Sequence, residues 1–416
     1  MADKDLNYND KSLVSINIGF TGSGDLTTVM EQLTPMEIIL GESLLTPGLQ
    51  TAVRFHSALH HLGVRSKSPK NLDALKGAAI LIELEKESLK DFGISHRMVI
   101  SQPVYRLDRR HLYNNNTEDF TIHACHQTLL DDAATLVSKS WKCTTPSSVV
   151  SEVLSSCAGA KNLDVQSSMP ARDYIAENIH PFQVVTQQAN AALDGNDPSF
   201  VHYMTYKIDD GDGTHHFRSL KYLTSQSNLF GGKAFNFQET GSSAGYAYPF
   251  GITTHSFPCD FDLLTDLLNG VNQNISVIAL NPLKGMISLL GNQTIGCGAG
   301  AGVLKSVLSN VGSASQQNAC EDQSAKYAQL RQARMSLIDQ NRIALRMTVP
   351  WNPDLHAGKM IRLELWNKMA ADNGNLIPNY GTGDYLIVSM THNIKYGGYG
   401  TTTVDCVSRS IGEGVV

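Results

Sequence analysis

Three kinds of local cluster in this chain of 416 residues carry side chains or turns that could do chemistry. The first, His123-x-Cys125-His126, sets two imidazoles and a thiol close together, as a metal site would. Zinc usually draws on four ligands at wider separations, and on a strand positions 123 and 125 share a face that 126 leaves. A strand end with a buried thiol is the better reading. The second, Asp209-Asp210-Gly211-Asp212-Gly213, resembles a calcium loop until its positions are counted. From Asp210 the sixth residue is His215 where the loop needs glycine, and the twelfth is Lys221 where it needs glutamate. A hairpin turned on Asp-Gly fits better. The third kind is glycine-rich: Gly19-Phe20-Thr21-Gly22-Ser23-Gly24 and Gly296-Cys297-Gly298-Ala299-Gly300-Ala301-Gly302. Neither runs into Lys-Ser or Lys-Thr, so neither is a phosphate loop. No His-Glu-x-x-His occurs. The adjacent pairs His60-His61 and His215-His216 point their rings apart on either a helix or a strand. A dispersed pair of carboxylates stays open, because acid/base catalysis needs no local spacing. The residues therefore nominate no catalytic group, no metal ligand and no cofactor, and the expectation is a protein that is not an enzyme.

Composition narrows the class further. The chain has 33 Lys+Arg against 39 Asp+Glu, a net charge of -6, with 17% charged and 42% hydrophobic residues and 34 Gly. That is a globular chain, long enough for two to four domains. No run of eighteen apolar residues is present, so no membrane span is expected. Met1-Ala2-Asp3-Lys4-Asp5 lacks the apolar stretch of a signal peptide. A negative balance argues against nucleic acid as the main partner. The seven cysteines are odd in number and include no Cys-x-x-Cys, so they read as reduced thiols of a protein made in a cytosol.

The elements that must position these residues follow from periodicity. From Ser12 the pattern is β-like: Leu13, Ile16 and Ile18, then Glu37–Gly41 and Ala52–Ser57, separated by Pro35, Pro47 and Gly48. Further strands are predicted at Ala79–Glu85, His96–Ser101 and Asp119–Cys125. After Thr128 the spacing of Leu129, Leu130, Ala133, Ala134, Leu136 and Val137 predicts a helix face. Pro146 and Pro181 each open another helix, and strands follow at Phe200–Ile208 and His216–Leu220. Residues 291–320 read as a flexible Gly/Ser-rich excursion with one short helix at Val303–Leu308. Glu321–Asn341 reads as a helix, and β-type sequence returns from Ile343.

The two β regions resemble each other. Gly77-x-x-Ile80-x-Ile82-Glu83-Leu84 matches Gly358-x-x-Ile361-x-Leu363-Glu364-Leu365. Ala52-Val53-Arg54-Phe55 parallels Ala344-Leu345-Arg346-Met347, Val99-Ile100-Ser101 parallels Ile387-Val388-Ser389, and Thr121-Ile122 parallels Thr403-Val404. Strands share a small alphabet, so one match would mean little. Four in preserved order point to a duplication.

The longer motifs carry a family resemblance. Pro181-Phe182-Gln183, then Pro198–Tyr203, then His216-Phe217-Arg218-Ser219-Leu220 form one part. Val349-Pro350-Trp351-Asn352-Pro353-Asp354-Leu355-His356-Ala357-Gly358 and Gly383–Val388 form the other. Together they resemble the baseplate central hub proteins of contractile-tailed bacteriophages, the T4-like hub family, related to the hub part of type VI secretion spikes. The likeness runs from about Ser12 onward, apart from 291–320 and the stretch around 225–256. The motif residues it singles out are structural: Phe217, Arg218, Ser219, Leu220, Asn352, Pro353, Asp354, Leu355 and Gly358.

That resemblance implies a mixed α+β, β-rich fold with two similar antiparallel β-barrels around an inserted α+β region. The divisions would be a flexible N-terminus (1–11), a first tube-like barrel (12–127) and an α+β middle (128–320). A helix and second barrel (321–416) would follow, with part of 291–320 assignable to that barrel. It further implies a homotrimeric ring that adapts a sixfold tail tube to a threefold spike and leaves a channel for DNA. Partners would be further copies of itself, the tail tube protein, a separate central spike protein, baseplate wedge or other hub proteins, and the tape measure protein. DNA would touch it only in passage, and no membrane partner is implied. Its place would be the virion tail baseplate, after assembly in the host cytoplasm. No oligonucleotide-fold or needle domain follows the hub part, so the spike is expected as a separate chain. The channel is expected to be neutral to acidic, since a Lys/Arg lining would hold DNA by counterion release. Two other classes stay in play: a receptor- or carbohydrate-binding tail-tip module, and a cell-wall hydrolase. Against the first, aromatics are only 7%, and Trp141, Trp351 and Trp366 sit in strand or helix contexts.

Overall fold

The computed structural model describes residues 4–6, 13–21, 33–57, 78–113, 117–208, 212–237, 248–259, 262–269, 274–281, 286–294, 303–309, 324–372, 375–378 and 381–408. Its first part is all strand: β1 (Lys4–Leu6), β2 (Ser15–Thr21), β3 (Leu33–Ser43), β4 (Gln50–Ser57), β5 (Ala79–Glu85), β6 (Arg97–Leu112) and β7 (Glu118–Cys125). Burial alternates along them, as the period of a strand dictates: Ile16 and Ile18, Ile38 and Leu40, Val53 and Phe55, Ile80 and Ile82 all point into one core. β6 is long because it serves two partners. Arg97–Pro103 pairs with β5, and Val104–Leu112 pairs with β7. A strand that changes partners part-way makes a corner in the sheet, so both arms can cover one core.

The middle part holds α1 (Gln127–Ala134), β8 (Val137–Thr144), α2 (Pro146–Ser156), β9 (Asn162–Val165), β10 (Arg172–Ile179), α3 (Pro181–Ala191), β11 (Phe200–Tyr206), β12 (Gly213–Ser219) and α4 (Leu220–Ser225). Thr145 caps α2 by accepting from the Ser148 amide, and proline opens both α2 and α3. These two helices cover a second core that contains Trp141, Val149, Val153, Phe182, Val185, Phe200 and Phe217. The chain continues through β13 (Ala234–Phe237), β14 (Gly251–Ile252), β15 (Thr254–Ser256), α5 (Leu263–Asn269), β16 (Asn274–Asn281), β17 (Met286–Thr294), β18 (Val303–Ser309) and α6 (Ser324–Ser336). The last part is β19 (Leu345–Pro350), β20 (Met360–Glu364), β21 (Trp366–Asp372), β22 (Asn375–Pro378), β23 (Gly383–Lys395) and β24 (Tyr399–Ser408). Among the described residues no helix is long and apolar enough to cross a membrane.

Two barrels were the expectation; the pairing shows one large, mostly antiparallel sheet that joins both ends of the chain. It comprises fourteen strands, and its two halves meet where β3 pairs with β23 over seven residue pairs. The joint forms because Ile38 and Leu40 on β3 and Ile394 on β23 are all fully buried on the same side. Within each half the strand order repeats: β3-β4-β7-β6-β5 in the first, β15-β19-β24-β23-β20 in the second. The ladder irregularity repeats too. Pairing skips a residue between Val104 and Arg106 opposite β7, and between Ile387 and Ser389 opposite β24. Two of the four sequence matches are in true register, Ile80 with Ile361 and Ile122 with Val404. Ala52–Phe55 is out of register, because Val53 faces Ile122 whereas the residue facing Val404 is Met347. Val99–Ser101 also misses its counterpart, since Val104 and not Val99 occupies the place of Ile387.

Other expectations need correction. The helix after Thr128 stops at Ala134, and Val137 already opens β8, so Leu136 and Val137 belong to no helix face. Val303–Ser309 is a strand paired in parallel with β16, not a short helix, so the 291–320 tract contributes to a sheet of its own with β17. A run of alternating polar and apolar residues this short is legible either way. Cys143 is disulfide-bonded, against the reading of all seven cysteines as free thiols; Cys125, Cys157, Cys259 and Cys406 are free. His60-His61, the turn at 22–24, the loop 209–211, the glycine run 296–302 and the N-terminal residues 7–11 lie outside the described residues.

Candidate functional site: the joint of the three parts

The motif Asn352–Gly358 connects β19 to β20 and lies where all three parts of the chain touch. Asn352 turns the chain: its side-chain oxygen accepts from the Asp354 amide at 3.1 Å, and its own amide donates to Thr402 Oγ1 at 3.2 Å. Pro353 occupies the turn between them, and Leu355 is fully buried in the main core. Asp354 then reaches the first part, accepting from the Ser95 amide at 3.0 Å. Gly358 is required twice over. Its φ is +82°, and a Cβ there would stand 2.5 Å from the hydroxyl of Tyr203 on β11.

Glu42 on β3 is the hub of this joint. Its carboxylate is wholly buried and accepts from the Tyr206 amide (2.8 Å), the Ala357 amide (2.9 Å) and His356 Nδ1 (2.9 Å). One side chain thus ties the first part to the hairpin β11–β12 and to the β19–β20 turn. Tyr206 completes the seam by donating its hydroxyl to the Gln50 carbonyl at 3.0 Å. Burial pushes the phenols of Tyr203 and Tyr206 above their ordinary range, which keeps both neutral.

Phe217–Leu220 is the second motif and serves the middle part. Phe217 is fully buried and stacks on Phe200 with ring centroids 4.9 Å apart. Arg218 pairs with Asp164 on β9 and lies over the Tyr222 ring at 4.2 Å. Hydrogen bonding from His216, joined by Arg218, holds the Asp164 carboxyl down at about 2. Ser219 caps α4, accepting from the Tyr222 amide at 3.0 Å while donating to Asp194 at 2.9 Å. Leu220 is buried between this part and the last, among Leu223, Ile338, Leu386 and Val407. The two motifs therefore do not converge on one pocket; both are joints.

Sequence reasoning missed a buried imidazole chain. His202 Nε2 and His215 Nδ1 are 3.0 Å apart, His215 Nε2 meets Thr128 Oγ1 at 3.1 Å, and Thr128 Oγ1 meets His126 Nδ1 at 2.8 Å. His126 Nε2 then contacts Asp212 at 2.7 Å. Burial lowers His202 to about 3 and His215 to about 2, so both rings are neutral. No local spacing could announce residues 126, 128, 202, 212 and 215 as neighbours. His123 goes elsewhere, to Asp108 at 3.0 Å, so the His123-x-Cys125-His126 run splits as its strand geometry dictates. Asp212 and Gly213 sit at the base of the β11–β12 hairpin, where the Lys207 amide donates to the Asp212 carbonyl. Among the described residues no group of three or more His, Cys, Asp or Glu is placed to hold a metal ion. Gly241-Ser242-Ser243-Ala244-Gly245 has the spacing of a serine nucleophile elbow. It lies outside the described residues.

No protein-family model matches the chain, and no curated protein matches it. Solved structures do. A tail protein from Neisseria meningitidis MC58 superimposes with a TM-score of 0.53 at 10% identity, over 95% of this chain and 98% of that one. The 43 kDa tail protein of prophage MuSo2 from Shewanella oneidensis gives 0.52 at 10% identity, over 92% and 98%. A component of the E. coli type VI secretion system gives 0.47 at 7% identity, over 94% and 76%. The fold is that of phage tail proteins.

Proposed function

We propose that this chain is a structural virion protein, the trimeric hub at the centre of a phage baseplate. In this reading three copies form a ring that adapts a sixfold tail tube to a threefold central spike and leaves a channel for DNA. The observation that carries it is the repeated strand order within one chain, down to the same ladder irregularity. Closed rings need repeated complementary patches, and a chain with two like halves supplies six from three copies. The shared fold with tail proteins supports the setting. The four-part division at 1–11, 12–127, 128–320 and 321–416 belongs to the same proposal, as do the tail tube, spike, wedge and tape measure proteins as partners. Barrel closure in the second half is supported by the segment 251–256, which bonds β13 at one end and β19 at the other. The motif residues act in this scheme as joints that hold the two halves at a fixed angle, with no catalytic step.

The solvent side of the joined sheet suits a channel wall. Three of its arginines are matched by acids: Arg54 with Asp119, Arg106 with Asp108, Arg346 with Asp405. Thr391, Thr401, Thr403, Ser389 and Asn393 fill the space between. Matched pairs of this kind weaken the hold of such a surface on DNA. Light scattering on the purified protein over a range of concentrations tests the proposal. A mass three times that of one chain is expected at high concentration, and a monomer throughout overturns it.

A further inference from the structure

The internal repeat predicts more than a ring: it names the strands that meet between copies. Within the chain, β3 lies along one side of β23 while β24 takes the other. The strand equivalent to β23 in the first half is β6, whose outer arm pairs with β7 as β23 pairs with β24. Among the described residues no strand lies along the other side of Tyr105–Leu112. That arm exposes Tyr105, Arg106, Arg109, Arg110 and His111. The strand equivalent to β3 in the second half is β15, since β19 takes one side of β15 as β4 takes one side of β3.

The ladders fix the register. Ile38 pairs with Val53, which faces Ile122; His255 pairs with Met347, which faces Val404. Ile122 and Val404 are equivalent, so Ser256 stands where Ile39 stands. On the other strand, His111 pairs with Asp119 and Asn393 pairs with Thr401, each three residues before that reference point. His111 therefore stands where Asn393 stands. Inside the chain Ile39 and Asn393 face each other directly.

We propose that β15 of one copy adds antiparallel to the outer arm of β6 in the next copy, with Ser256 facing His111. This rests on the ring proposed above and goes past it, because it states which edge meets which. The chemistry of the contact is main-chain hydrogen bonding at a sheet edge, so the occupant is a second copy of this chain. A charged edge strand such as Arg106–Arg110 resists indiscriminate pairing, and a matched strand overcomes that. Both Ser256 and His111 are exposed in the single chain, so neither side chain must leave a core.

The test is cross-linking. Directly opposed residues of antiparallel strands have Cα atoms about 4.5–5.5 Å apart, within disulfide reach. Ser256→Cys and His111→Cys are made singly and together, and each is oxidised with copper phenanthroline. Circular dichroism and the thermal midpoint confirm that each variant folds like the parent. In the double variant, reductant-sensitive covalent dimers and trimers should rise from none to most of the protein. Each single variant should stay monomeric on the denaturing gel, and an equal co-expressed mixture of the two singles should give dimers only. Light scattering on the same samples separates the two levels of the proposal. A trimer without covalent dimers in the double variant overturns the strand pairing and leaves the ring in place. A monomer at every concentration overturns both.

Discussion

Glu42 shows how much one side chain can hold at a joint. Three donors from two other parts of the chain converge on its buried carboxylate. Glu42→Gln keeps the shape but turns one acceptor oxygen into a donor facing donors. A loss of about 2–4 kcal/mol in unfolding free energy is expected by denaturant titration, as for other buried charged hydrogen bonds that lose a partner. Gly358→Ala should cost at least as much, since the added methyl meets Tyr203 in a left-handed backbone. Tyr203→Phe in that background should recover part of the loss, because it removes the atom in the way. The buried imidazoles set a pH dependence. His202 and His215 hold protons less readily folded than unfolded, so the unfolded chain gains protons first as pH falls below about 6.5. Stability from these two rings is therefore whole above that value and declines as the pH falls toward 3. Thermal melts from pH 7 to 5 should show the decline, and His202→Phe should make it shallower; an unchanged slope would sink the assignment.

At the scale of elements, the seam between β3 and β23 decides whether the halves form one body. Ile38 and Ile394 face each other across it and are both fully buried. Each truncation to alanine should cost about 2–5 kcal/mol. Because the two side chains are in contact across one ladder, the double variant should lose less than the sum of the singles. Additive losses would show that the seam is not a cooperative contact. The corner in β6 and the shared bulge in β6 and β23 had no sequence signal. A bulge depends on which residue of a partner strand is opposite, and that partner is distant in the chain.

For the whole molecule, the charge pattern leads to an expectation about DNA. The chain is net negative, and Arg54, Arg106 and Arg346 on its sheet are matched by carboxylates. Duplex DNA should show no mobility shift with the assembled protein even at low salt. Tight binding that weakens steeply with added salt would mean an unmatched cationic surface and would count against a conduit.

The primary structure by itself determined the alternating strands, the proline-led helices α2 and α3 and the existence of a repeat, because those depend on neighbours within a few residues. The family resemblance marked Asn352–Gly358 and Phe217–Leu220 as special. The tertiary structure decided what those motifs touch: Glu42, Ser95 and Tyr203 are far from the 352–358 turn in sequence and adjacent only once three parts have packed. It also decided the register of the repeat, the joining of both halves through β3 and β23, and the burial of the histidine chain. Each of these is a relation between distant segments, and strand composition alone is too degenerate to select one pairing over its neighbours two residues away.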